Sequence, residues 1–131
     1  MGFNLDITGL YAGLLAILLV VLSFNVIRFR LKHRVGTGHG DVSELDKAIR
    51  IHGNFSEYMP IALVLLGVLE LGGLADTWLH AFGATLVVGR LLHAAGLSKT
   101  KGTSLPRLVG VLSTFIVLVI MGVMTIIQFI D

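Results

Sequence analysis

The sequence predicts an all-α integral membrane protein, a bundle of four transmembrane helices. Three observations carry this. Of 131 residues, 55% are hydrophobic and 14% charged, against roughly 25% charged in ordinary soluble domains. So short and apolar a chain has more hydrophobic surface than one soluble core can bury. The apolar residues fall into four continuous stretches, each close to the roughly 20 residues that cross a bilayer as a helix. They do not alternate with polar residues, and four strands could not close a membrane barrel.

The first stretch runs from about Ile7 to Phe29 and has no basic residue before Arg28. The second, about Asp46 to Leu71, is polar at its start. The third, about Thr77 to Gly96, contains Arg90 and His93. The fourth, about Leu105 to Ile130, has no charge after Arg107. The expected helices therefore cover about 7–30, 46–71, 77–96 and 105–130, in one domain of 131 residues.

The connections have turn chemistry. Gly36-Thr-Gly-His-Gly40 reads as a flexible loop. Asp41 or Ser43 is expected to cap the second helix, with Asp46 three residues after Ser43. Gly72-Gly73 ends that helix, and Asp76 is expected as the N-cap of the third. Pro106 suits the first turn of the fourth. Gly9-x-x-x-Gly13 is a weakly specific pattern for close helix contact in a membrane.

Charge placement sets the expected orientation. Of the ten basic residues, all but Arg90 lie in or beside the first-to-second and third-to-fourth connections. The positive-inside rule puts both connections in the cytoplasm and both termini on the other side. The N-terminus lacks the basic start of a cleavable signal, and Arg28 to Arg34 form a stop-transfer flank, so the first helix is expected to be retained. The formal net charge of +2 is too small to imply nucleic-acid binding. With no cysteine there is no disulfide framework and no cysteine nucleophile. The histidines have no metal-ligand spacing, so no metal is assigned.

In this topology the polar residues meet at one depth. Arg50, Asn54 and Glu57, spaced i, i+4, i+7, share a face of the second helix. Arg28, Arg90, His93 and Arg107 come to the same level from the other helices. One carboxylate, Glu57, stands among several cations. The excess of positive charge suits an anionic, carboxylate-bearing ligand, because guanidinium forks match carboxylates. The plainer readings are arginines that snorkel to headgroups and polar pairs that join helices. His93 is equally readable as a hydrogen-bonded core residue.

The residues Arg50-x-x-x-Asn54-x-x-Glu57-Tyr58-x-Pro60 resemble the second-helix signature of the MAPEG proteins, membrane-associated proteins in eicosanoid and glutathione metabolism. With Ser56 the stretch is close to the leukotriene-conjugating synthases. Gly89-Arg-Leu-Leu-His-Ala-Ala-Gly96 resembles the third-helix segment of microsomal prostaglandin E synthase and of bacterial relatives. Val26-Ile-Arg-Phe-Arg30 is similar to the basic end of the family's first helix, and Arg107 falls where the family has an arginine at the start of the fourth.

The resemblance implies a homotrimer with three sites between adjacent subunits, each open to the cytoplasm. It implies glutathione as co-substrate, held through Arg28, Arg50, Asn54, Glu57, Tyr58 and His93, and by charge Arg90 is a further candidate for a ligand carboxylate. Arg107 matches the arginine that stabilises the thiolate. An apolar small molecule would enter from the lipid between helices one and four of neighbouring subunits. Leu97 stands where several members carry tyrosine, and no serine directly follows Arg107, unlike the prostaglandin branch; Ser104 precedes it.

Three functions are therefore open. The first is a glutathione transferase or peroxidase acting on lipophilic electrophiles in a bacterial inner membrane. The second is a related thiol- or lipid-binding protein without turnover. The third is a small four-helix multidrug transporter. That last class needs a carboxylate in the middle of its first helix, and Ile7 to Ile27 has none.

Overall fold

A computed structural model describes residues 4–99 and 105–131. Its elements are α1 (Asp6–His33), α2 (Ser43–Leu71), α3 (Asp76–Lys99) and α4 (Leu105–Ile130). No strand occurs among the described residues. The architecture is all-helical, as the four apolar stretches predict. Three helices, α1, α2 and α4, are long and apolar enough to cross a membrane. The fourth, α3, has 24 residues and carries Arg90 and His93 within its apolar run.

The helices extend past the apolar stretches at their basic ends. α1 continues to His33 and α3 to Lys99, while α2 starts at Ser43. Only the hydrocarbon layer demands apolar side chains; the backbone ladder continues beyond it into the headgroups. At about 1.5 Å per residue, the 29 residues of α2 span roughly 43 Å.

Two expected caps are corrected. Neither Asp41 nor Ser43 caps α2: the N-cap is Val42, with no side-chain cap hydrogen bond. Asp41 adopts a left-handed backbone, φ 61°, and its N–H donates to His39 Nδ1 at 3.1 Å. Asp46 N–H donates to the Val42 carbonyl. The turn therefore uses Asp41 before the helix begins. Asp76 is not an N-cap either; it lies in the first turn of α3, where a carboxylate still favours the positive end of the helix dipole.

α1 is capped across space instead. The backbone N–H groups of Ile7 and Thr8 donate to the Glu70 carboxylate at 2.9 and 2.8 Å. The last turn of α2 thus satisfies the first turn of α1. Arg30 braces the following loop by donating to the carbonyls of Val35 and Gly38. Gly73, with φ 88°, closes α2 in a conformation that favours glycine.

Leu15, Phe55, Met59, Leu66, Leu86 and Met121 belong to one buried cluster that joins all four helices. α2 touches each of the other three, and α3 and α4 pack most extensively. Among the described residues α1 and α4 do not meet. The close contacts lie at other glycines than Gly9 and Gly13, which face open space within the chain. A Cβ on Gly83 would overlap the Tyr11 ring, and one on Gly110 would stand 2.5 Å from the Gly89 carbonyl oxygen.

Candidate functional site

α2 turns Arg50, Gly53, Asn54 and Glu57 to one side, as their spacing requires. On that side they meet His93 of α3 and Arg107 of α4. Together with Ile49 these residues line a cavity of about 340 Å³. Ligand sites for small molecules start near this size, at roughly 300 Å³. Arg50 and Glu57 are exposed at its mouth, whereas His93 is buried. The lining places two guanidinium groups, one carboxylate and an imidazole around a single space.

Arg90 stands behind this wall rather than in it. It is 2% exposed. Its Nη1 donates to Asn54 Oδ1 on α2. Its Nη2 donates to Thr114 Oγ1 at 3.0 Å and to the Gly110 carbonyl at 3.3 Å, both on α4. One side chain of α3 therefore ties α2 to α4 just behind the cavity wall. A guanidinium can do this because its donors form a fixed fork. Its Nε is buried without a hydrogen-bond partner among the described residues.

Tyr58 does not line the cavity. Its ring packs edge-on against Phe115 of α4, with centroids 5.2 Å apart. Arg28 lies on the other side of α2, at the groove between α1 and α2. There it lines two hollows with Asn25 and Ile51. Its Nη2 donates to Asn25 Oδ1 at 2.7 Å, and its guanidinium stacks on the Phe29 ring. Within one chain Arg28 is thus separated from Arg50, Glu57 and Arg107. Leu97 lies in α3, with its side chain outside the described residues, as is the connection from 100 to 104.

Four residues here escaped the sequence reading: Ile49, Gly53, Gly110 and Thr114. Gly110 and Thr114 follow Arg107 at i+3 and i+7, so they share its face of α4. That spacing was available in the sequence. What gave it meaning, the approach of α3, was not. No group of three or more metal-ligating side chains occurs among the described residues.

Two comparisons with known proteins bear on this arrangement. The family described as "MAPEG family" matches residues 8–127. The chain is also 50% identical, over 91 residues, to "Inner membrane protein YecN" of Escherichia coli (strain K12), covering 69% of each chain. The protein of that name from Escherichia coli O6:H1 is similar to the same extent. The chain belongs to the MAPEG family and is a membrane protein of that family.

Proposed function

We propose that this MAPEG-family membrane protein is a glutathione-dependent transferase or peroxidase that activates the thiolate against lipophilic electrophiles or hydroperoxides. The observation that carries the reading is the single cavity lined by Arg50, Asn54, Glu57, His93 and Arg107. Glutathione has two carboxylates, an amine and a thiol. Arg50 supplies a fork for a carboxylate, and Glu57 pairs with the γ-glutamyl amine. Asn54 and His93 offer hydrogen bonds between them. Arg107 stands at the thiol. A thiol with a pKa of about 8.5 loses its proton to water more readily beside a guanidinium. The catalytic contribution is then electrostatic.

The reading extends to a homotrimer with sites between subunits. Arg28 is remote from its own chain's cavity, so in such a trimer it serves the neighbour's. Ile61, Val64, Val68 and Leu71 are exposed along α2 at alternating spacings of three and four. That is the seam helices use to pair with helices. Since α1 and α4 do not touch within a chain, a lateral entry between α1 and α4 has to be formed by two chains. Tyr58, which packs on Phe115 outside its own chain's cavity, would meet glutathione from the subunit boundary, and Arg90 reaches glutathione through Asn54. The proposed location is the bacterial inner membrane, with both termini outside the cytoplasm.

The test is thiolate absorbance of the detergent-purified protein on addition of glutathione. An ultraviolet rise is expected in the wild type. Arg107→Ala should keep glutathione bound without that rise. A wild-type protein that binds no glutathione would overturn the reading, and a crosslinking ladder ending at dimer would overturn the trimer.

A further inference from the structure

Gly89 of α3 and Gly110 of α4 lie in close contact beside the candidate site. A Cβ on Gly110 would lie 2.5 Å from the Gly89 carbonyl oxygen, 2.7 Å from the His93 backbone nitrogen and 2.9 Å from His93 Cβ. Those are distances that real Cβ atoms do not hold, and two of the three atoms are backbone. A Cβ on Gly89 would meet Ser113 Oγ at 2.5 Å and the Gly110 carbonyl at 3.3 Å. Gly110 must therefore lack a side chain for the helices to approach this far, while a Cβ on Gly89 would turn the Ser113 hydroxyl aside and press on the Gly110 carbonyl.

The contact sits one turn from the chemistry on both helices. His93 follows Gly89 by four residues, and Arg107 precedes Gly110 by three. The two helices run antiparallel, so the same turn of spacing carries both side chains to the cavity. The approach is locked from behind. Arg90 Nη2 donates to Gly110 O and Thr114 Oγ1, and the Thr114 hydroxyl is itself within 3.0 Å of Gly110 O. Thr114 is wholly buried, so its hydroxyl has the protein rather than water as partner.

We infer that Gly89, Gly110 and Thr114 are positioning residues: the glycine contact and the Arg90–Thr114 hydrogen bond fix Arg107 against His93 and thereby set how readily a thiol in the cavity ionises. The inference rests on the glutathione reading. The charged and titratable groups that face that thiol are Arg50 and Glu57 from α2, His93 from α3 and Arg107 from α4, with Arg90 behind Asn54. Attraction between thiolate and guanidinium falls as the inverse of their separation. Driving α3 and α4 apart by a Cβ therefore raises the pH at which the thiol ionises. An ångström at close range is worth roughly half a pH unit, or about a threefold smaller thiolate fraction below the midpoint.

The experiment titrates the thiolate absorbance of glutathione bound to the full-length protein in detergent, for wild type, Gly110→Ala, Thr114→Val and Thr114→Ser. The expected result is an upward shift of about half a pH unit in Gly110→Ala and Thr114→Val, with glutathione affinity unchanged at pH values below the titration, where the bound thiol is protonated, and Thr114→Ser close to wild type. A lower melting temperature with an unmoved titration would show a structural contact only and overturn the inference. If Gly110→Ala does not fold, Thr114→Val and Thr114→Ser carry the test alone. A normal wild-type titration with unshifted variants sinks the positioning role and leaves the glutathione reading standing. No glutathione bound by the wild type sinks both.

Discussion

Glu70 and Thr8, 62 residues apart in sequence, are joined by a 2.8 Å hydrogen bond from the Thr8 backbone N–H to the Glu70 carboxylate. With Ile7 making the second bond, the end of α2 replaces the side-chain cap that Leu5 does not give α1. Glu70→Ala is expected to lower stability by about 1–3 kcal/mol, the range of a lost cap and of hydrogen bonds to a charged acceptor. Thermal unfolding in detergent measures this. Unaltered melting would show that the cap contributes nothing.

Gly83 tests the packing of α1 on α3, since its missing Cβ leaves the space that the Tyr11 ring fills. Gly83→Ala should destabilise by about 1–3 kcal/mol through overpacking. In a double-mutant cycle with Tyr11→Ala most of that cost should disappear. Additive losses would mean that the two positions do not oppose each other.

Arg50 and Glu57 are exposed in the single chain, so their loss should cost little in stability, within about 0.5 kcal/mol. Glutathione affinity should fall by about ten- to a hundredfold in Arg50→Ala or Glu57→Gln, because each removes a hydrogen bond between charged groups. Calorimetric titration separates the two effects. Variants that melt early yet bind normally would assign this pair to holding helices together.

Lysine at position 107 keeps the charge and loses the planar fork. Arg107→Lys should retain part of the thiolate signal that Arg107→Ala abolishes. Equal signals from the two variants would refute an electrostatic role for this side chain.

Arg28 and Arg107 offer a test of shared sites. If Arg28 serves the adjacent subunit, homotrimers of Arg28→Ala or of Arg107→Ala are impaired, while a one-to-one mixture regains about a quarter of its sites by chance alone. Co-purified mixed trimers with no recovery would place both residues in one chain's cavity.

The helices and the polar face of α2 could be read from the sequence because both depend on local periodicity. Four long apolar runs leave a membrane chain few alternatives to four helices. The i, i+4, i+7 spacing put Arg50, Asn54 and Glu57 on one side before any partner was known. What depends on tertiary approach could not be read in this way. Ser43 looked like a cap, but the left-handed turn at Asp41 placed Val42 there instead. Gly9 and Gly13 carried the familiar contact pattern and face outward, while the isolated Gly89 and Gly110 touch. A glycine's sequence neighbours do not say which helix will cross it. Charge alone groups Arg90 with the ligand-facing cations; its hydrogen bonds to α2 and α4 turn it inward.

The gap between α1 and α4 has a consequence for assembly. A chain whose two outer helices never meet has two unlike edges, one made by α1 and one by α4. Matching one edge to the other is a head-to-tail contact, in which each copy uses a different surface from its neighbour. Such contacts repeat until rotation closes them into a ring. Two copies joined by a single such junction would leave one α1 edge and one α4 edge uncovered, whereas a closed ring leaves none.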